Sequence, residues 1–213
     1  KQYKNITLIQ YLEQILDWDS EVNLPSGGYE YRAEQAAWLA SVVHQKLTDP
    51  EFVNDVLSFI PDNNGLQKDE IAFIKRVVEL EQEIPENLSV ERARLSARAG
   101  GSVEEAKKSG DDSDFIQILN QMIKLEREYC DCKGFENDAY DALLDDYDRN
   151  LSYSSVENLF NDLIPQLQEL LAHAKEDKGE LRFFADKSKQ EKLSNIIIQE
   201  IGLDPTRSRL DVS

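Results

Sequence analysis

The stretch Asp17–Gln35 reads DWDSEVNLPSGGYEYRAEQ and interrupts a helical pattern that restarts at its far end. Apolar residues recur at helical spacing on both sides of it, at Leu8, Leu12, Ile15 and Leu16 before it and at Ala33, Ala36, Ala37, Ala40, Val43 and Leu47 after it. Pro25 and the Gly27-Gly28 pair supply the backbone conformations that a sharp reversal requires. The stretch therefore predicts the corner of a helical hairpin.

The corner carries an indole, carboxylates and a guanidinium around a single turn, from Trp18, Asp19, Glu21 and Arg32. In a structural interpretation, Arg32 pairs with Asp19 or Glu21 to tie the two helices together, and Trp18 is a core aromatic. In a functional interpretation, the same side chains face a groove. The residues alone leave both interpretations open.

The rest of the chain repeats this alternation of amphipathic helices and turn residues. Asp49-Pro50-Glu51 predicts a helix start, and Gly134 predicts a helix end. A helix of weak amphipathicity is expected over 87–109, with the Gly100-Gly101 pair in its middle. Pro165 predicts a bend in a later helix. The sequence as a whole predicts an all-α fold, a multi-helix array of antiparallel helices.

The charge balance excludes two classes of partner. The chain has 213 residues, with 42 Asp and Glu against 24 Lys and Arg, for a net charge of −18. Nucleic acids and anionic membranes are poor partners, because binding them depends on Lys and Arg replacing counterions. There is no apolar run of about 18 residues and no signal-peptide pattern, so we expect a cytoplasmic protein that does not span a membrane.

Two charged clusters have both a structural and a functional interpretation. The first contains three arginines about one helical turn apart, which either pair with nearby acids or form a docking face: Arg92, Arg94 and Arg98. The second, 140–148, holds four carboxylates, which fit either a Ca²⁺ or Mg²⁺ site or the solvated side of a short helix. It lacks the glycine and terminal glutamate of an EF-hand loop. We favour the structural interpretation of both clusters.

Metal ligands of other kinds are sparse. Cys130 and Cys132 lie one residue apart in a helical pattern, where they point in different directions, so we expect free thiols. The two histidines, His44 and His173, are distant in sequence, and neither has a second histidine four residues away. We therefore assign no metal ligand in this chain.

Three segments together resemble the carboxypeptidase Taq family of thermostable metallocarboxypeptidases. The corner follows the pattern Trp-Asp-x-Glu-x-x-Leu-Pro-x-Gly-Gly-x-x-x-Arg-x-x-Gln, with Leu24 where Met is common. The acidic segment reads Tyr-Asp-Ala-Leu-Leu-Asp-Asp-Tyr over 140–147. The tail, 202–213, is similar to a Gly-Leu-Asp…Gly-Arg-Leu-Asp-x-Ser segment, with Ser208 in place of the usual glycine. The segments occur in the family's order and span nearly the whole chain.

The resemblance implies a larger helical enzyme that uses zinc or cobalt to release C-terminal amino acids from peptides. In that family a His-Glu-x-x-His helix supplies two metal ligands and the general base, and a later glutamate completes the site. This motif is absent from the chain. We therefore expect residues 1–213 to be the N-terminal part, inactive alone, with no catalytic residue and with Trp18, Asp19, Glu21 and Arg32 as candidates for one wall of the substrate groove.

Two hypotheses follow for the chain as a whole. In the first, it is the N-terminal half of such an enzyme, and its partners are the C-terminal catalytic half and, in the complete enzyme, a peptide substrate. In the second, it is a non-catalytic helical module that acts by protein binding. The chain ends within a family motif, which favours the first hypothesis. Apolar surface left for the other half to cover also predicts a homodimer.

Overall fold

The turn predicted within 17–35 separates the first two helices of the structure. Helix α1 ends at Val22, a short 3-10 turn spans Ser26–Gly28, and helix α2 begins at Tyr29. The computed structural model describes residues 2–61, 65–174, 186–204, 206 and 207. Within these ranges the fold is all-α, as predicted, with helices α1 Gln2–Val22, α2 Tyr29–Leu47, α3 Pro50–Ser58, α4 Gly65–Glu83, α5 Glu86–Ser109, α6 Ser113–Lys133, α7 Ala139–Tyr147, α8 Tyr153–His173 and α9 Lys187–Glu200.

The helix ends follow the capping chemistry of the sequence. The Asp49 carboxylate accepts a hydrogen bond of 2.9 Å from the Phe52 backbone N–H at the start of α3. Asp138 caps α7 in the same way, through the N–H of Tyr140. Gly134 follows the last turn of α6 with a positive φ of 77°, a conformation that glycine adopts without a steric penalty.

The helix predicted over 87–109 is present as α5, and it lies at the centre of the packing of the first unit. It is continuous through the Gly100-Gly101 pair and packs against both α2 and α6. The glycine has a packing role, because a Cβ at Gly101 would lie 2.5 Å from Cγ of Tyr29. The buried Tyr29 ring thus lies directly on the α5 backbone, and weak amphipathicity reflects burial on two sides.

Two apolar clusters hold the helices of the first part of the chain together. Ile6, Leu47, Phe52 and Val78 join α1, α2, α3 and α4. The second cluster lies where α4, α5 and α6 meet, and it contains Ile84, Leu88 and Tyr129.

The chain divides into two compact units, Lys1–Asn158 and Leu159–Ser213. In the second unit, α8 continues through Pro165. Its apolar side chains are 39–71% exposed: Leu159, Phe160, Leu163, Ile164, Leu167, Leu170 and Leu171. Helix α9 likewise exposes Leu193, Ile196 and Ile197. Among the described helices, none is long and apolar enough to cross a bilayer.

Candidate functional site

Arg32 is the centre of the corner between α1 and α2. It is 8% exposed and reaches back from α2 onto the last turns of α1. Its Nη2 donates to Oδ2 of Asp19 at 2.5 Å, and its Nη1 donates to Oγ of Ser20 at 2.8 Å and to the Leu16 carbonyl. Its Nε donates to Oε1 of Gln35 at 3.0 Å. The guanidinium therefore ties the two helices together, as the structural interpretation of the corner predicts.

The other predicted corner residues differ in environment. The hydrogen bond from Arg32 lowers the pKa of Asp19, and Asn23 donates a second bond of 3.3 Å to the same carboxylate. Asp19 therefore stays ionised, and its carboxylate oxygens accept hydrogen bonds from Arg32 and Asn23. Trp18 is 41% exposed, so the structural interpretation, in which it is a core aromatic, does not hold for this residue.

A cavity of about 400 Å³ lies between α1, α2 and α5 beside the corner. Its floor is made by small residues of α2 and α5, Ala36, Ala93 and Ala97. Of the four predicted groove residues, Glu21 and Arg32 line this cavity, and Tyr29 contributes its ring. Trp18 and Asp19 are not among the lining residues. The structure therefore brings two of the four candidates to one concave site.

Glu13 lines the cavity but is not among the candidates of the sequence analysis. Its side chain is half-buried and lines both this cavity and a second cavity of about 410 Å³ bounded by α2, α4, α5 and α6. Burial raises its pKa, and the nearby charge of Asp17 raises it further. The sequence did indicate that Glu13 faces inward, because it lies four residues after Ile9 and three before Leu16, on an inward side of α1. An acid at such a position lies against the interior.

The arginines of α5 are paired, which confirms the structural interpretation of that cluster. Arg92 donates two hydrogen bonds, of 2.9 and 2.8 Å, to the carboxylate of Glu126 on α6. The other two reach α2: Arg94 pairs with Glu34 at 3.0 Å and Arg98 with Glu30 at 2.9 Å. The cluster thus links α5 to the helices on either side of it.

The acidic segment forms α7, but its acids are less solvated than predicted. Asp145 pairs with Arg76 and with Lys133, the latter at 3.1 Å. Burial raises the pKa of its carboxyl, but a hydrogen bond from the Asn150 backbone N–H, together with these two cations, outweighs burial and lowers the pKa below the ordinary value. Asp146 accepts hydrogen bonds from Tyr129, at 3.0 Å, and from Lys133. The cations come from α4 and α6, which the sequence pattern of α7 alone could not indicate. These carboxylates bind side chains of the same chain.

The histidines and cysteines hold structural positions. His44 is buried, and its Nδ1 lies 2.7 Å from Oε1 of Glu81 on α4. His173 is exposed, with Nδ1 2.7 Å from the Glu169 carbonyl. Cys130 and Cys132 are free thiols, as predicted. In the described ranges, no group of three or more His, Cys, Asp or Glu residues is arranged to hold a metal ion.

Comparison with known proteins identifies the family. The sequence model of the carboxypeptidase Taq (M32) metallopeptidases matches residues 1–213. The chain belongs to this family. It is 31% identical over 221 residues to thermostable carboxypeptidase 1 of Pyrococcus furiosus and 29% identical over 205 residues to carboxypeptidase 1 of Bacillus subtilis. These alignments cover 100% and 92% of the chain but only 44% and 41% of the relatives.

Solved structures of M32 carboxypeptidases have the same fold. The crystal structure of BsuCP superposes with a TM-score of 0.84 at 28% identity, over 99% of this chain and 44% of that protein. The P. furiosus carboxypeptidase superposes with a TM-score of 0.77 at 29% identity, over 100% of this chain and 44% of that protein. The chain thus spans less than half the length of the M32 proteins it matches.

The family resemblance predicted from three segments is confirmed by these matches. The structure describes two of the segments, the corner and 140–147. The third, 202–213, falls mostly on residues 205 and 208–213, which lie outside the described ranges, and so does Ser208.

Proposed function

We propose that this chain is the N-terminal part of an M32 metallocarboxypeptidase that releases C-terminal amino acids from peptides. One observation carries the proposal. The signature corner, whose Arg32 and Glu21 match the family pattern, lines a concave site between α1, α2 and α5. In this proposal the corner and cavity form one wall of the substrate groove. The four candidates for that wall remain Trp18, Asp19, Glu21 and Arg32.

The chain's own residues do not fit the metal site of such an enzyme. Neither histidine has a second histidine four residues away in sequence, and the buried one, His44, lies against Glu81. We therefore propose that the ligands of the divalent metal, zinc or cobalt, come from the C-terminal part that this chain does not span. On that account the chain is inactive by itself. We propose the cytoplasm as its location.

The apolar helix faces of the second unit support a docking role for the remainder of the protein. The apolar face of α8 is exposed in the structure, and so are Leu193, Ile196 and Ile197 of α9. Apolar faces of this extent are buried in stable folds, because each buried leucine or isoleucine contributes roughly 1.5–3 kcal/mol. We propose that the C-terminal half covers them in the complete enzyme. We also propose that the protein forms a homodimer.

The test is a reconstitution assay. The chain is assayed for release of the C-terminal residue from a blocked dipeptide, alone and fused to the unmatched C-terminal part of B. subtilis carboxypeptidase 1, with zinc or cobalt added. We expect activity only in the fusion. Glu21→Ala in the fusion is expected to raise KM several-fold, whereas Glu70→Ala, at an exposed position of α4, is expected to leave KM unchanged.

The outcomes separate the parts of the proposal. Activity of the chain alone would show that it holds a complete site. A folded fusion without activity would favour the second candidate function, a non-catalytic interaction module, for which the exposed apolar faces are the supporting observation. An active fusion whose KM is insensitive to Glu21→Ala would keep the enzyme assignment and remove Glu21 from the groove wall.

A further inference from the structure

Helix α1 is held less firmly than the helix beside it. The structure describes all of its residues, 2–22, and among them Ile6 alone is buried. Helix α2, of similar length, buries a larger set: Tyr29, Arg32, Ala33, Ala37, Leu39, His44 and Leu47. An element that buries few side chains belongs to the low-stability end of a fold and opens locally at a small cost in free energy. Helix α1 is therefore able to open while α2 and α5 stay folded.

The side of α1 that faces α5 borders open space. The cavity of about 400 Å³ beside the corner, here called the corner cavity, lies there, and α1 lines it with Glu13, Asp17 and Glu21 opposite small residues of α5. Acidic side chains gain little from packing on such a floor, because burial costs them hydration. Asp17 and Glu21 accordingly remain exposed. Helix α1 therefore packs along α2 and spans the corner cavity.

Helix α1 is fastened near both of its ends. Ile6 lies fully buried in the apolar cluster that joins α1 to α2, α3 and α4. At the other end, the Arg32 guanidinium donates to the Leu16 carbonyl, to Oγ of Ser20 at 2.8 Å and to Oδ2 of Asp19 at 2.5 Å. No side chain between these two fastenings is buried in this fully described helix. Opening of α1 therefore requires the release of these two groups of contacts.

The connection from α1 to α2 is suited to act as a hinge. It consists of residues 23–28, and a Cβ built at Gly27 would meet no atom within 4 Å, so the chain has room to change its conformation there. Hinges in proteins are a few loop residues that absorb changes in φ and ψ. We propose that α1 is a strap that opens about this turn, with Arg32 as its latch, and that it thereby controls access to the corner cavity. The inference rests on the proposed function for what enters the cavity, but the motion is measurable without a substrate.

Amide hydrogen exchange of the full 213-residue chain, followed peptide by peptide, tests the motion. In the parent we expect amides of 8–20 to exchange at least about tenfold faster than those of 34–46 in α2 and 92–105 in α5, because only α1 opens. Asp19→Asn removes the charge that the latch binds and should speed exchange over 8–20 at least about fivefold, without a change in α5. Gly27→Ala should slow exchange over 8–20 about twofold to fivefold, because alanine stiffens the turn.

A second latch variant and a matched control localise the effect. Arg32→Lys loses the planar donors of the guanidinium and should speed exchange in α1 at least about tenfold. Arg98→Gln is the control, because it breaks the pair of Arg98 with Glu30 between α5 and α2 and should leave exchange in α1 unchanged. Circular dichroism shows whether each variant folds. If Arg32→Lys does not fold, Asp19→Asn and Gly27→Ala decide.

Access to the corner cavity is measured with a cysteine on its floor. Ala97→Cys is labelled with a maleimide, alone and combined with Asp19→Asn, and labelling is read by peptide mass spectrometry. We expect Asp19→Asn to quicken labelling at position 97 by the same factor as exchange over 8–20. Labelling of the native thiol of Cys132, on α6, should not change.

The outcomes separate the strap from the proposed function. Exchange over 8–20 that matches α2 and α5 in the parent, or that changes equally in all three helices in the latch variants, overturns the strap. Unchanged labelling at position 97 alongside faster exchange in α1 overturns its control of the cavity. Neither result depends on peptidase activity. An inactive fusion would therefore remove the proposed function and leave the motion of α1 standing.

Discussion

Polar side chains meet on two sides of α5, and the two sites are built differently. On the α6 side, Arg92 is bidentate to Glu126 and its guanidinium carbon lies 3.8 Å from the centre of the Tyr129 ring. The Tyr129 hydroxyl donates to Asp146, and burial raises the pKa of this tyrosine. We call these four residues and Lys133 the α6–α7 network. Each carboxylate of the network has a cation beside it.

On the α1–α2 side, the polar groups leave a cavity open. Arg32 uses its donors on α1 and on Gln35, but Glu13, Asp17 and Glu21 line the cavity without a hydrogen bond or ion pair to any residue in the described ranges. Closed networks such as the α6–α7 network stabilise a fold. Among the three cavity carboxylates only Glu13 is half-buried, and its desolvation costs free energy that no partner returns, whereas Asp17 and Glu21 are exposed. The comparison therefore indicates a stabilising role for the α6–α7 network and is consistent with the binding role that we propose for the cavity side.

The strongest test of the stabilising side is Lys133→Met. The Lys133 side chain is 7% exposed, and its Nζ donates to the Ala142 carbonyl at 2.7 Å besides pairing with Asp145 and Asp146. Met keeps the length of the side chain but leaves the carboxylates without this cation. We expect the free energy of unfolding, measured in urea, to fall by about 3 kcal/mol. Lys108→Met, which removes an exposed pair with Glu104, should cost no more than about 0.5 kcal/mol. Equal effects would show that the network is not a stabilising unit.

The next largest expected effect on the free energy of unfolding comes from substitution in the glycine pair of α5, on the cavity side of this helix. Gly101→Ala places a methyl 2.5 Å from Tyr29 Cγ, and the buried ring cannot move without leaving α5. We expect a loss of about 2 kcal/mol in the free energy of unfolding. Gly100→Ala is a matched control, because its Cβ would lie 3.5 Å from Tyr29 and alanine is the better helix former by about 1 kcal/mol. Its expected result is a gain, so two similar losses would contradict the packing role of Gly101.

These residues also show what the sequence could and could not predict. Periodicity and capping residues predicted the helices and the corner, because both depend on spacing along a short segment. The importance of α5 was not predictable from its own pattern, since Gly101 has meaning only against Tyr29, 72 positions away in sequence. The corner residues were found through a motif. The burial of Glu13 depends on which helices enclose it, and the sequence of α1 does not contain that information.

The smallest expected effect is the change in the free energy of unfolding on substitution of Glu13. Whether the variant gains or loses stability distinguishes the cavity side of α5 from the α6–α7 side most clearly. The pKa of Glu13 is raised in the folded state, so over the pH range between its unfolded and folded pKa values the folded protein binds a proton that the unfolded chain does not. Stability contributed by this group is therefore present in acid and is lost as pH rises through the folded pKa. Glu13→Gln removes that loss. We expect the variant to be more stable than the parent at pH 7 by about 0.5 kcal/mol, a small value because water screens a half-buried group.

The difference between parent and variant should shrink as the pH falls toward about 4.3, the ordinary pKa of a glutamate, and vanish below it, because Glu13 of the unfolded parent then becomes protonated as well. Glu70→Gln on the exposed side of α4 serves as the control and should change stability little at either pH. A Glu13→Gln variant less stable than the parent at pH 7 would mean that the carboxylate has a cationic partner in solution. The cavity side of α5 would then be a closed network like the α6–α7 side, and the binding role that we propose for it would lose its physical basis.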